Sequence, residues 1–175
     1  YHPSCCQNHV SPGMIVQIYK FYAHHDKLQN KIMPEYLHLN GLRYKIMKKP
    51  LKVGILRESK NPPDRRVPLT PPQIIWLQKK YHDVSFCLQP SNDRCYSNSE
   101  YEQFNIPLKE DLQDCDILIG IKEVDKLKLI PGKTYLFFAH VAKRQPHNRT
   151  LLREILRKKI KLIDFFEPLL WSGWG

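Results

Sequence analysis

From residue 51 onward the chain repeats one unit: a short apolar run, an ionisable residue just past its end, then a helix-compatible segment. Leu51-Lys-Val-Gly-Ile-Leu56 leads into the stretch from Arg57 to Arg66, Asp116-Ile-Leu-Ile-Gly-Ile121 into Lys122-Glu123, and Thr134-Tyr-Leu-Phe-Phe-Ala139 into His140. Apolar runs of this length suit strands buried on both faces, and strands alternating with helices mean a parallel sheet covered on both sides. In an open sheet of that kind, ligands bind in the crevice outside the carboxyl ends of the strands. Arginine, lysine and histidine are therefore expected around one mouth. Arginine grips a carboxylate bidentately, and lysine or histidine moves protons near neutral pH when its surroundings are tuned.

The pattern predicts five strands: Val53 to Leu56, Val84 to Leu88, Ile117 to Ile121, Tyr135 to Phe138 and Ile160 to Asp164. Between them, Thr70 caps a helix that has Pro71 at its first position and runs to Tyr81. A serine opens a short helix over Ser97 to Phe104, and Leu108 to Asp114 reads as a further helical turn. Pro90 to Asp93 and Pro131-Gly132 are turns. The clearest helix spans His147 to Lys159, with Leu151, Leu152, Ile155 and Leu156 on one face and basic residues opposite. The fold class expected is α/β, a Rossmann-like open parallel sheet flanked by helices.

The character of the chain changes near residue 47. Residues 1 to 46 show no clean period, lack an initial methionine and contain only Arg43, unlike an arginine-rich targeting peptide. They are expected to form an irregular leader outside the ordered core, a non-native one or a genuine extension. The domain is expected over 47–167, followed by an aberrant tail over 168–175. Between Met47 and Glu167 the glycines are Gly54, Gly120 and Gly132, so no Gly-x-Gly-x-x-Gly, P-loop or Gly-x-Ser-x-Gly elbow occurs.

The 42% apolar and 26% charged residues fit a globular domain, and no apolar run approaches a membrane span. The net charge of +11 is scattered, with a modest cluster from Arg149 to Lys161 that suits a solvated helix face better than a nucleic-acid site. No nucleic-acid or membrane partner is expected. Five cysteines without framework spacing fit a reducing, cytoplasmic setting, or a mitochondrial one in a eukaryote. Cys5-Cys6 with His9 matches no standard zinc spacing, and no metal is expected.

The wording around the strand ends adds a resemblance. The stretch from Lys52 through Arg65-Arg-Val-Pro-Leu-Thr-Pro71, the Gln89-Pro-Ser-Asn92 turn, Ile119-Gly-Ile-Lys-Glu123, Tyr135-Leu-Phe-Phe-Ala-His-Val-Ala-Lys-Arg-Gln145 and Arg157 to Asp164 carry it. In order and spacing these blocks resemble the N-terminal domain of the alanine dehydrogenase and transhydrogenase-alpha superfamily. Within it they are most similar to lysine-forming saccharopine dehydrogenases and lysine-ketoglutarate reductases. The resemblance covers about residues 50 to 165, and Phe165-Phe166-Glu167 departs from the expected Asp-aromatic-Glu by one residue.

The resemblance implies an oxidoreductase that uses NAD or NADP on a CH–NH bond, with a small amino or keto acid as substrate. It implies Lys122 and His140 as acid/base groups and Arg66 as the carboxylate anchor. Arg65 is the neighbouring alternative, because this loop is one residue longer than in alanine dehydrogenases. Glu123 beside Lys122, and Lys143 and Gln145 in His-x-x-Lys-x-Gln, are implied as accessory substrate-site residues. Taken without the resemblance, each also reads as an ordinary surface or strand-end residue. The dinucleotide would sit on a further domain that the sequence does not display, so a truncated, inactive chain is expected. The alternatives are an alanine dehydrogenase or transhydrogenase-alpha domain, and a non-catalytic α/β binding module. Oligomeric state is left open.

Overall fold

A computed structural model describes residues 50–60, 62–122, 124–141 and 146–164 (for His147 the backbone alone), and the backbone of 36–39 and 42–45. Within the first 46 residues, β1 (Tyr36–Leu39) and β2 (Leu42–Lys45) pair antiparallel as a two-stranded sheet of their own. That stretch is thus not wholly irregular. The remainder of the leader and the 165–175 tail lie outside the described residues.

The main sheet comprises β3 (Leu51–Ile55), β4 (Val84–Leu88), β5 (Ile117–Lys122), β6 (Thr134–Phe138) and β7 (Lys161–Asp164). All neighbours are parallel, in the order β4-β3-β5-β6-β7. Among the described residues the α-helices are α1 (Pro71–Lys80), α2 (Asn98–Gln103) and α3 (Arg149–Arg157). The expected five strands are all present, with ends moved by one or two residues.

Alternation along the strands divides the apolar residues between two cores. Val53, Ile55, Phe86, Ile117, Ile119 and Leu136 pack with Ile74 and Leu77 of α1. Cys87, Leu118, Tyr135 and Phe137 pack with Leu151 and Ile155 of α3. The period of two along a strand sends successive side chains to opposite faces, so β4, β5, β6 and β7 feed both layers. Gly54 lets neighbouring side chains approach the strand closely. A Cβ there would stand 2.9 Å from Leu118 Cδ2 and 3.0 Å from both Cys115 Sγ and Leu112 Cδ1.

Local chemistry explains the helix ends. At α1 the Thr70 backbone N–H donates to Gln73 Oε1 at 2.8 Å, and Pro71 starts the helix where its missing N–H costs nothing. At α2 the Ser97 N–H donates to Glu100 Oε2 at 2.7 Å, while Glu100 N–H returns a bond to Ser97 Oγ at 3.3 Å. Helix α3 is shorter than the sequence predicts. A 3₁₀ turn occupies Pro146–Asn148, and Lys159 at φ +52° ends the helix by a Schellman arrangement. In it Ile160 N–H donates to the Ile155 carbonyl at 3.0 Å and Lys159 N–H to the Leu156 carbonyl at 3.1 Å.

The helical turn expected over Leu108 to Asp114 is mostly absent. Leu108 instead bridges Leu88 in parallel, with Leu88 N–H to Pro107 carbonyl at 3.0 Å and Lys109 N–H to Leu88 carbonyl at 2.9 Å. The outer edge of β4 has unmet donors and acceptors, and pairing them outweighs a weak local helical preference. A turn survives only near Gln113 and Asp114. There Asp114 Oδ2 accepts from both Lys52 Nζ and Lys109 Nζ at 3.0 Å, holding its carboxyl down at about 2.

A carboxyl depressed in the fold stabilises above its unfolded value, about 3.9, and loses that contribution as pH falls toward the folded value. Asp114→Asn is therefore expected to lower the unfolding midpoint at pH 6. The gap to the parent chain should shrink below about pH 4 and close near about pH 2, as read by urea denaturation across pH.

Candidate functional site at the β3/β5 switch point

Strand β3 is flanked by β4 on one side and β5 on the other, so the connections leaving β3 and β5 diverge. That reversal of strand order makes the crevice where ligands of open α/β sheets bind. Here it is opened further. Strand β5 pairs with β3 over Ile117 to Ile119, and between Ile119 and Lys122 its register against β6 shifts by one residue, so that Lys122 stands opposite Phe138. A bulge re-aims the residues beyond it and frees backbone donors.

Glu58 takes up those donors. Its Oε1 accepts from Ile121 N–H at 2.9 Å and its Oε2 from Lys122 N–H at 3.2 Å. Burial pushes the Glu58 carboxyl above the usual range, and the two amides pull it partly back. A carboxylate from the loop after β3 thus ties off the end of β5, directly at Lys122.

The same loop carries Asp64 and Arg66. Arg66 Nε and Nη2 donate to Asp64 Oδ1 at 2.9 Å and Oδ2 at 2.6 Å, and Arg66 N–H adds a third bond to Oδ1 at 3.0 Å. These bonds to Arg66 hold the Asp64 carboxyl below the ordinary range, and the charge of Lys122 acts in the same direction. Nη1 of Arg66 stays outside the pair. The loop is fixed from beneath: Arg57 forks onto Glu110, Gln89 Oε1 accepts from Arg57 N–H at 3.2 Å, and Cys95 N–H donates to the Arg65 carbonyl at 2.8 Å. Arg57, Glu58, Asp64, Arg66, Ser91 and Arg94 line a narrow recess of about 10 Å³, room for about one water.

One strand over, β6 ends at Phe138 and His140 follows with φ +51°. A left-handed backbone is unfavourable for a residue with a Cβ and persists where surrounding bonds over-determine it. They do so here. Asp164 accepts from Ala139 N–H at 3.1 Å and Val141 N–H at 3.3 Å, while buried Asn148 donates to the Ala139 carbonyl at 3.2 Å and the His140 carbonyl at 3.1 Å. The His140 ring lies against Phe138, 6.3 Å between centroids and 25° between planes.

The sequence model of the alanine dehydrogenase/PNT N-terminal domain matches residues 54–166, most of the chain. The chain belongs to that family. Among curated proteins it is similar to the mitochondrial alpha-aminoadipic semialdehyde synthase of Bos taurus, at 36% identity over 71% of this chain and 13% of the bovine protein. The protein of that name from Rattus norvegicus is 38% identical over 65% of this chain and 12% of its own length. The Arabidopsis thaliana alpha-aminoadipic semialdehyde synthase is 35% identical over 65% and 11%. The chain therefore matches only about an eighth of the length of these relatives.

Within this alanine dehydrogenase/PNT-type domain, Arg66 and Lys122 come to the switch point around Glu58 and Asp64, and His140 stands at the same sheet edge, one strand away. Arg65 is exposed and does not line the recess; its carbonyl accepts from Cys95 N–H. Glu123, Lys143 and Gln145 lie outside the described residues. Sequence reasoning passed over Glu58, Asp64, Arg94, Asn148 and Asp164. Asp64, two residues before Arg66 in a proline-flanked loop, has the spacing of a local side-chain turn and was the one with a usable signal.

A dinucleotide is the cofactor the resemblance implies, and its fit can be tested at α1. The pyrophosphate of such cofactors sits on helix N–H donors after a glycine-rich turn. Here the loop from Arg57 to Thr70 contains no glycine, and Pro71-Pro72 remove two donors from the first turn. The N-terminus of α1 therefore does not fit a pyrophosphate. No cluster of three or more metal-ligating side chains occurs among the described residues, and none of their helices is long and apolar enough to cross a membrane.

Glu58→Ala would leave the Ile121 and Lys122 N–H groups without their acceptors, at about 1–3 kcal/mol per buried donor. The variant is expected to lose stability of that order in urea unfolding. Amide exchange at residues 121 and 122 should accelerate well beyond that of Leu118, and unchanged protection there would contradict the role given to Glu58.

Proposed function

We propose that this domain is the substrate half of an NAD(P)-dependent amino-acid oxidoreductase of saccharopine dehydrogenase or lysine-ketoglutarate reductase type. The supporting observation is the convergence at one sheet edge: Arg66 beside half-buried Glu58, Lys122 aimed by the β5 bulge, and His140 clamped in a strained backbone. The relatives' name, a synthase of alpha-aminoadipic semialdehyde, agrees in kind with chemistry on an amino acid.

In this reading Arg66 orients a substrate carboxylate through the edge of its guanidinium that Asp64 does not occupy, with Arg65 as its neighbour in the loop. Lys122 and His140 hold and return the protons that imine formation and hydrolysis between a keto acid and an amine require. Glu58 acts through Lys122 by fixing its backbone, as Asn148 and Asp164 act through His140. Glu123, Lys143 and Gln145 are proposed as accessory groups at the same mouth. The nicotinamide would supply or take the hydride from a part of the protein other than the described residues. The mammalian relatives are described as mitochondrial, which favours that compartment over the cytoplasm for this chain.

Calorimetric titration of the 175-residue chain with 2-oxoglutarate, and separately with pyruvate, tests the site. Binding is expected, and Arg66→Gln should weaken it about tenfold, the order of one lost charge-assisted pair. Absence of keto-acid binding by the parent chain would remove the proposal.

No turnover is expected when NADH oxidation is followed with 2-oxoglutarate plus lysine or with pyruvate plus ammonia. Holding the nicotinamide in reacting geometry is worth about 7–11 kcal/mol of barrier, and no dinucleotide fingerprint is present to do so. Robust activity abolished by Lys122→Met would show that this chain positions the cofactor after all.

A further inference from the structure

Gly54 also makes room for two thiols to meet. Cys87 stands beside Gly54 in the β3/β4 ladder, and Cys115 lies on the turn that leads into β5. A Cβ at position 54 would come within 3.0 Å of Cys115 Sγ; in its absence Cys115 Sγ rests 3.5 Å from Cys87 Sγ. Both side chains are buried, Cys87 retaining 7% exposure and Cys115 0%. A single thiol in an apolar core serves as a small hydrophobe. Two sulfurs in direct contact, one S–H donating to the other sulfur, are also positioned to join.

The surroundings favour reaction at one of them. Asp114 Oδ2 binds both Lys52 Nζ and Lys109 Nζ at 3.0 Å, and Asp114 Oδ1 lies 3.9 Å from Cys115 Sγ. All three charged side chains are substantially exposed, and ion pairs of that kind contribute little. Parting them to admit a small solute to the thiols is therefore cheap. The contact also makes the two thiols unequal. The Cys115 S–H lowers the Cys87 thiol against the effect of burial, and the charges of Lys109 and Lys52 act in the same direction. Cys115 is pushed up by its bond to Cys87 and by burial. The thiolate is the reactive form, so Cys87 is the attacking sulfur and Cys115 the resolving one.

We propose that Cys87 and Cys115 are a peroxide-responsive thiol pair that closes to a reversible intramolecular disulfide. The Cys87 thiolate attacks one oxygen of hydrogen peroxide. The O–O bond breaks, and hydroxide leaves and takes up a proton as water, which makes Cys87 a sulfenic acid. The Cys115 sulfur then attacks the Cys87 sulfur. The S–O bond breaks, and the hydroxyl leaves as water with the Cys115 proton. Peroxide is reduced to two waters, and the pair is oxidised by the loss of two hydrogens. A disulfide is about 2.0 Å long, so the sulfurs must close by about 1.5 Å. Cys115 can yield, because it lies on the turn ahead of β5 rather than within the ladder. The bridge would enclose residues 88–114, the segment that brings Ser91 and Arg94 to the recess.

The test treats the folded 175-residue chain with hydrogen peroxide, alkylates the remaining thiols and maps a non-reducing digest by mass spectrometry. A cross-linked Cys87–Cys115 peptide is expected, two hydrogens lighter than its separate halves, and it should be lost after dithiothreitol. In Cys115→Ser, Cys87 should stop at the sulfenic acid and be captured by dimedone. In Cys87→Ser, Cys115 should remain a thiol. Cys5, Cys6 and Cys95 are the internal comparison. Their oxidation while Cys87 and Cys115 stay reduced would make the pair a piece of core and overturn the inference. A bridge that forms only in urea, or that joins either thiol to another cysteine, would overturn it as well. The parent-chain map decides the outcome even where a variant does not fold.

Discussion

The carboxylate of Glu58 spans a gap that the sheet itself cannot close. Once β5 acquires an extra residue, Ile121 and Lys122 fall out of step with β6, and beyond Ile119 the β3 pairing has ended. Two backbone donors in a largely buried place then need acceptors, and the loop after β3 supplies both from one side chain. The position of Lys122, the path of the Arg57 to Thr70 loop and the floor of the recess all follow from that bridge. Its electrostatics have two sides: burial disfavours the charge, while two amides and nearby Arg66 favour it.

The rest of the mouth uses the same device. Asp164 and Asn148 hold the backbone on either side of His140, and Gln89 links the Arg57 amide to the Glu110 carbonyl. Side chains at the carboxyl edge thus take over the pairing that the ladder provides in the strands. Such bonds fix loops without regular structure, which suits a site whose shape is set by connections rather than by the sheet.

The layering was legible because it depends on period and length. Val53 to Leu56, Ile117 to Ile121 and Tyr135 to Phe138 have few other uses, and strands alternating with helices allow few arrangements. The ends of those strands, and so Arg66, Lys122 and His140, were legible with them. Leu108 was misread because what decides its conformation is the vacant edge of β4, twenty residues away. Glu58, Arg94 and Asn148 were invisible for a related reason: each matters through a partner 5 to 64 positions distant that no local pattern marks. The bulge in β5 leaves no signature beyond Gly120, a residue with many explanations.

The backbone at His140 bears on how such a chain can change. Left-handed geometry costs a side-chain-bearing residue roughly 1–2 kcal/mol relative to glycine, which adopts it freely. If thermal endurance were the sole criterion, glycine would be the better occupant of position 140. Four hydrogen bonds with Asp164 and Asn148 hold the backbone on which the imidazole sits. The domain therefore holds a reserve of stability that a one-residue exchange would release, and releasing it would discard the ring. Under the proposed role of His140, a drift toward glycine at that position would mark a descendant that has kept the scaffold and lost its proton-carrying ring.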